Sequence, residues 1–358
     1  MRAVVLVGGE GTRLRPLTLS VPKQMLPIVE EPMIERVLGQ LARHGIEDAV
    51  LSLGYLPDAF LTAYPDGVAA GVRLSYAVEP SPLDTAGAIR FAASSAGIDD
   101  TFVVVNGDVL TDMDLTALVQ FHRAHRAEGS ISLYPVSDPS AFGVVPIDGN
   151  GRVEAFVEKP PRGEAPTNLI NAGTYVLEPS VVQRVPEGRR VSIERETFPA
   201  MVADGTLFAL ADASYWLDTG TPESYLTAHF DLLEARRPGP PAPGAVDRGD
   251  GVWVLGSPHV EGEVHGPALL GAGCRIGPRA VVERAVVGRR CVVGAGARVV
   301  GSVLLEGSVV AERATVRGSI VGPGARVGEG SEVRPLSVLG ARATVAPGAV
   351  VAGERVPA

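Results

Sequence analysis

Lysine is almost absent from this chain. Two occur in 358 residues, Lys23 and Lys159, against thirty arginines. A compact ammonium and a planar guanidinium are not interchangeable at a phosphate. Two lone lysines, each inside a motif, therefore mark places where a point charge is needed. Cysteine is as scarce: Cys274 and Cys291 alone cannot build the disulfide framework of a small secreted domain. No stretch approaches the roughly 20 apolar residues of a membrane span. The apolar run Ala3–Val7 is too short for a signal peptide and leads straight into glycines. Net positive charge is also missing. At −9 the chain is not a generally basic nucleic-acid binder, although local positive charge could still recruit small anions. A soluble, cytoplasmic protein is expected, with no nucleic-acid or membrane partner.

What is present is enough apolar material, 46% of residues, for two domains or for one large domain with an appendage. Over residues 1–236 strand-like and helix-like stretches alternate. Ala3–Val7, Ala49–Leu53, Val72–Val78 and Phe102–Val105 read as strands. Met33–His44, Asp58–Tyr64, Thr85–Ser95 and Leu115–Ala127 read as helices. That rhythm predicts a Rossmann-like, mostly parallel α/β sheet covered on both faces. From Ser130 to Val176 the strands shorten, and another helix is expected over Ile193–Ala203. The run Arg237-Pro238-Gly239-Pro240-Pro241-Ala242-Pro243-Gly244 can continue neither a helix nor a central strand, so 237–250 reads as a linker.

Residues 251–358 turn to Gly, Val, Ala and Arg, with a period of 17. Val282, Val299, Val316, Val333 and Val350 share one column. Ile276, Val293, Val310 and Val327 share a second, and Val287, Leu304, Val321 and Val338 a third. Three aliphatic columns at spacings of six, six and five describe a three-sided coil, each turn burying its row on its neighbours. The pattern resembles the left-handed parallel β-helix of hexapeptide-repeat proteins. Its open ends and sides call for a cap or a subunit contact, so a homo-oligomer is expected.

Chemistry concentrates first in Gly8-Gly9-Glu10-Gly11-Thr12-Arg13-Leu14-Arg15-Pro16-Leu17-Thr18, directly after the first strand. In an open α/β sheet, ligands bind beyond the carboxyl ends of the strands. Glycines let backbone N–H groups approach phosphate oxygens closely. Residues 1–30 carry four cations and two acids, a positive patch in an acidic chain. The loop is neither a P-loop, since no Gly-Lys-Ser/Thr follows, nor the full dinucleotide fingerprint.

The string, followed by Pro22-Lys23, resembles the signature of the sugar-1-phosphate nucleotidyltransferases, which join a nucleoside triphosphate to a sugar 1-phosphate and release pyrophosphate. The likeness covers nearly the whole chain. It extends to Ile170-Asn171-Ala172-Gly173, Ser192-Ile193-Glu194-Arg195-Glu196 and Tyr215-Trp216-Leu217-Asp218-Thr219-Gly220. Within the family these segments are most similar to the guanylyltransferases that act on mannose 1-phosphate. The resemblance implies Mg²⁺ as cofactor, held by Asp108 and Asp218. It implies that Arg13 and Lys23 grip the triphosphate and the leaving pyrophosphate, and that Lys159 grips the phosphate of the sugar. It further implies nucleotide contacts from Leu6, Gly8, Gly9, Gly11 and Thr12, and from Glu79, Thr85, Ala86 and Gly107. Sugar contacts are implied for Gly143, Glu158, Asn171 and Gly173.

Base choice is read at Glu79. Guanine offers two adjacent donors that one carboxylate accepts side by side, whereas thymine and uracil suit an amide. GTP is therefore favoured over dTTP or UTP. Two positions depart from the pattern: Asp84 stands where most similar proteins have glycine, and Gln24 where many guanylyltransferases have proline. A thymidylyltransferase acting on glucose 1-phosphate is thus an alternative. A catalytically silent subunit of the same architecture is another, although Arg13, Lys23, Asp108, Lys159 and Asp218 are all retained. An acyltransferase read from the coil alone lacks a histidine within the clear repeat, since His259 and His265 precede it.

Overall fold

The structure is a computed structural model and describes all residues, 1–358. The chain forms two compact units, Met1–Gly9 with Ile34–Trp216, and Glu10–Met33 with Leu217–Ala358. The second unit thus includes Glu10–Met33 and residues 217–236, which the sequence assigns to the near side of residue 236.

The first unit is built on a ten-stranded mixed sheet. Strand β1 (Ala3–Leu6) lies parallel between β2 (Asp48–Leu53) and β4 (Phe102–Asn106), and β3 (Val72–Val78) is parallel to β2. Ala3, Val4 and Val5 have no exposed surface, which explains why these central strands read as continuous apolar runs rather than alternating ones. Between the strands run helices α1 (Met33–Arg43), α2 (Asp84–Ser95) and α3 (Leu115–His125), with Asp114 accepting from Ala117 N as the cap of α3. The far half of the sheet is laid down differently. Strand β5 (Gly129–Pro135) pairs antiparallel with β8 (Leu169–Leu177), which in turn pairs antiparallel with β4. Short strands β6 (Gly143–Val144) and β7 (Val157–Glu158) extend it, and β9 (Leu207–Ala211) closes the other side, parallel to β5. The Rossmann-like reading thus holds, with β1–β4 parallel throughout and the far half mixed, β5 and β9 being its one parallel pair. The helix expected over Ile193–Ala203 is a π-helical turn, Ile193–Thr197, running into an α-helix from Phe198 to Asp204.

The second unit carries the left-handed β-helix. Its parallel strands keep the 17-residue register, Val282 on Val299 on Val316 on Val333. The last coil breaks it. Val333 pairs with Val351 and Val321 with Leu339, a step of 18. The extra residue falls in the Arg334–Ser337 corner, where Leu336 adopts φ 63 and stands exposed. The column assignment of Val350 is therefore corrected: Val350 is 52% exposed and Val351, at 8%, fills the row. Likewise Leu339, not Val338, continues the column of Val321, although both are buried.

Helix α4 (Pro222–Leu233) begins with a reciprocal cap, Thr221 Oγ1 accepting from Ser224 N and Thr221 N donating to Ser224 Oγ. It packs on the first coils, with the Arg284 guanidinium 4.1 Å from the centre of the Phe230 ring. The stretch 237–250 is less open than its composition suggests. Arg237 and Ala242 are buried, and Val246–Asp247 pairs with Trp253–Val254. Cys274 and Cys291 are free thiols buried in the coil, and burial pushes them up to about 12 and about 11.

Candidate active site

In the first unit the glycine loop and the Gly107-Asp108 turn leave adjacent parallel strands at the same end of the sheet. Gly107 N donates to Leu6 O at 2.9 Å. Asp108 is half-buried in that turn. Gly8 and Gly9 are exposed, Gly9 at φ 105, so their backbone is open to a ligand. A methyl group on Gly8 would lie 3.8 Å from Glu79 Oε1, which places that carboxylate over the loop.

Glu79 is anchored at both oxygens: Ser52 Oγ donates to Oε1 at 3.2 Å and Leu83 N to Oε2 at 3.0 Å. Burial raises its pKa above the usual carboxylate range, and those two hydrogen bonds pull the other way. Thr85 and Ala86 have hydrogen-bond partners within the protein. The Thr85 hydroxyl donates to Glu194 Oε2 and accepts from Ile193 N, both at 2.8 Å, and Ala86 N donates to Val191 O. Their polar groups tie α2 to the 191–194 segment. Asp84 takes φ 61, the left-handed region that glycine favours, with its carboxylate on Thr85 N. The glycine expected at this position from the resemblance would meet that backbone requirement without strain.

Among the residues expected to meet the sugar, Gly143 is brought opposite Glu158 by β6 and β7. A methyl group on Gly143 would come within 2.8 Å of the Phe156 ring and 3.1 Å of Glu158 Oε2. Lys159 follows at φ 49, its amide bonded to Phe142 O and its Nζ 3.3 Å from Glu158 Oε1. Asn171 and Gly173 lie on an irregular stretch of β8, where the four steps from Asn171 to Tyr175 oppose two on β5. Gly173 takes φ 76, and a methyl group there would sit 2.5 Å from Asn106 Nδ2. Asn171 Oδ1 accepts from Gly173 N while its Nδ2 donates to the Tyr175 hydroxyl at 2.9 Å.

Tyr175 escaped the sequence reading. Its phenol pKa is raised, first by burial and then by the charges of Glu194, Glu158 and Asp108, so it stays protonated amid three carboxylates. Its spacing of four from Asn171 on one strand was the available signal. Ser52 also escaped, although it is the only polar residue in the buried run Ala49–Leu53. Trp216 completes this side, donating from Nε1 to Ala172 O and stacking with Tyr134 at 5.4 Å between ring centres.

In the second unit Arg13 and Asp218 come together, and Lys23 lies against Gly11. Arg13 Nη2 is 3.8 Å from Asp218 Oδ2, and Gly220 N donates to Asp218 Oδ1 at 2.8 Å. A methyl group on Gly220 would fall 2.5 Å from Arg13 Nη2, so glycine there leaves room for the guanidinium. Gly11, at φ 58, is closed in by Thr18 and by Lys23 Cβ, which a methyl group would meet at 3.2 Å. Thr18 Oγ1 donates to Gly11 O. Thr12 is exposed beside Arg13, and Lys23 is buried in a short 3₁₀ turn.

A carboxylate in a glycine-bordered turn after a central strand, and a second carboxylate beside an arginine at the end of the strand Trp216–Asp218 rather than in the loop its sequence suggests, suit phosphoryl chemistry. Comparison with known proteins defines the class. Residues 2–235 match the nucleotidyl transferase family model, and the chain belongs to that family. Residues 264–358 match the GMPPB C-terminal domain. A mannose-1-phosphate guanylyltransferase of Mycobacterium tuberculosis is 44% identical over 80% of this chain and 79% of its own length. A probable mannose-1-phosphate guanylyltransferase 1 of Oryza sativa subsp. japonica is 40% identical over 78% and 75%. Among solved structures, HddC from Yersinia pseudotuberculosis, complexed with GMP-PN, is 29% identical, with TM-score 0.56 over 64% of this chain and 97% of that one.

Proposed function

We propose that this chain transfers GMP from GTP to mannose 1-phosphate, giving GDP-mannose and pyrophosphate. The names of its relatives support that pair, and the observation that carries the choice of base is Glu79. Its carboxylate lies over the Gly8 backbone, oriented by Ser52 and Leu83, so that it arrives at a base already aimed. Each oxygen keeps a further lone pair for the adjacent N1–H and 2-amino donors of guanine.

The reaction needs little covalent help from the protein. A phosphate oxygen of the sugar 1-phosphate attacks the α-phosphorus in line, the bond to the bridging oxygen breaks, and pyrophosphate carries away the electron pair. The nucleophile is already anionic, so no general base is required. Two anions must meet, and the task is positioning and charge compensation. Arg13 and Lys23 serve the triphosphate and the developing pyrophosphate. Lys159 serves the incoming phosphate, while Asn171 and Glu158 hold sugar hydroxyls beside the bare backbone of Gly143 and Gly173.

Asp108 and Asp218 would hold Mg²⁺. Their hard carboxylate oxygens, Asp108 in the turn after Gly107 and Asp218 at the end of the short strand Trp216–Asp218, fit a cation usually bound by one or two carboxylates plus phosphate oxygens. When bound, it would screen the two anions from each other. Residues 1–236 act as the catalytic domain in this reading and 251–358 as the β-helix, in a cytoplasmic homo-oligomer.

The test is pyrophosphate release with Mg²⁺ across GTP, dTTP, UTP, ATP and CTP, each with mannose 1-phosphate and glucose 1-phosphate. A maximum at GTP with mannose 1-phosphate is expected, and a maximum at another pair would overturn the substrate assignment. Asp108→Asn and Asp218→Asn should each lower Mg²⁺-dependent kcat by about 10³-fold, with circular dichroism unchanged. Full activity in either variant would remove that residue from the metal site.

A further inference from the structure

The backbone is strained beside the phosphate-gripping segment. Pro27–Ile28 and Glu31–Pro32 pair as a hairpin whose two turn residues, Val29 and Glu30, have φ 50 and φ 70. A two-residue turn of this kind ordinarily takes Asn-Gly or Gly-Gly, and a β-branched residue at positive φ is rare. Such a conformation persists only where its surroundings over-determine it. Here they do. Val29 is fully buried, and its N–H donates to His229 Nδ1 at 3.1 Å. The Tyr225 hydroxyl donates to Pro27 O. Both partners lie on α4.

The third hold comes from the β-helix. The Glu30 side chain is only 11% exposed, with Oε1 accepting from Arg289 N at 3.1 Å and Oε2 2.9 Å from Arg289 Nε. A methyl group on Gly288 would stand 2.8 Å from Glu30 Oε1, so the coil opens a space for this carboxylate. Burial raises the pKa of Glu30, so an acid has been placed where water cannot solvate it and one guanidinium must. Four residues before Val29, the 3₁₀ turn Lys23–Met25 ends, and the next residue's carbonyl, Leu26 O, accepts from Met33 N across the hairpin.

We propose that Glu30 and Arg289 are a positioning pair through which the β-helix fixes the hairpin, and with it Lys23, for its grip on the triphosphate. Neither residue touches substrate. The coil is then part of the nucleotide site's construction, not a passive appendage. The inference rests on the role given above to Lys23.

The probe is GTP with Mg²⁺, titrated calorimetrically without sugar phosphate into the full chain. Glu30→Asn keeps a residue that tolerates positive φ but is too short to reach Arg289. Arg289→Ala removes a half-exposed side chain and serves if the first variant fails to fold. Each should weaken GTP binding about tenfold or more, and Arg289→Lys should restore part of the loss. In a Lys23→Ala background neither should weaken it further, because the group they position is gone. Equal losses with and without Lys23, or wild-type affinity in both variants while Lys23→Ala binds weakly, would overturn the pair. Unchanged binding by Lys23→Ala would overturn the role of Lys23 itself and the pair with it.

Discussion

The two lysines occupy opposite kinds of place. Lys23 is 8% exposed, set in a 3₁₀ turn and lying against Gly11, upstream of a hairpin held at three points. The Lys159 side chain is 59% exposed and pairs with the neighbouring carboxylate of Glu158. The difference fits two tasks. The charge that develops on leaving pyrophosphate must be met by a cation already in position, since reorganisation at the moment of reaction is what such sites avoid. An arriving sugar phosphate can be met by a cation that leaves an exposed ion pair, because exposed pairs contribute little and are easily exchanged.

The sharpest way to break this comparison is to delete each ammonium. Lys23→Ala should lower kcat by about 10³-fold, with GTP affinity also reduced. Lys159→Ala should act mainly through KM for the sugar phosphate, by about 10- to 100-fold. Arginine should rescue Lys159 in part and Lys23 hardly at all, since a larger planar head has no place in a buried turn. Steady-state kinetics with each substrate varied separates the cases. A loss of kcat at Lys159 and of sugar-phosphate KM at Lys23 would invert the assignment.

A smaller effect contrasts Glu79 with the exposed Glu158–Lys159 pair. Glu79→Gln should cut the preference for GTP over dTTP or UTP by about 10-fold or more, one carboxylate–donor pair being exchanged for a mismatch. An unchanged preference would take Glu79 out of the base pocket. The same variant reports on burial. The folded-state pKa of Glu79 is raised, so its contribution to stability is fullest below the unfolded carboxylate pKa and is lost as pH rises through the folded value. Glu79→Gln should therefore melt higher than the parent at about pH 7 and show no such gain at about pH 4. A gain confined to acid pH would contradict the burial.

How far the sequence carried the reading follows the range of the contacts. In the β-helix each residue rests on one about a coil away, so Val282, Val299, Val316 and Val333 displayed their stacking as a column. The reading slipped only where the Arg334–Ser337 corner gained a residue. The strands of the α/β unit were legible from apolar runs, but the antiparallel return of Leu169–Leu177 beside Phe102–Asn106 was not, because no local pattern encodes a partner some 70 residues away. In the site, the motif residues could be named individually. Their supports could not: Ser52 under Glu79, Tyr175 on Asn171 and His229 on Val29 are joined by folding alone.

The smallest effect belongs to Asp84, where a local rule and the family pattern meet. Its φ of 61 disfavours any side chain, by about 1 kcal/mol for an ordinary residue and less for Asp, which bonds its own backbone. Asp84→Gly relieves that strain, but it adds freedom to the unfolded chain, worth about 0.4–1 kcal/mol, and it removes an acid from the first turn of α2, worth about 0.3–1 kcal/mol. The terms nearly cancel, so stability should move by no more than about 0.5 kcal/mol. Asp84→Ala keeps the strain without the hydrogen bond to Thr85 N and should lose about 1 kcal/mol. Because the Asp84 carboxylate is exposed and turned onto its own helix, neither variant should alter nucleotide preference. Chemical denaturation gives the ordering, with Asp and Gly close together and Ala lowest. An Ala variant as stable as Gly would show that conformation is not what favours glycine here, and a shifted preference would make Asp84 a second reader of the base beside Glu79.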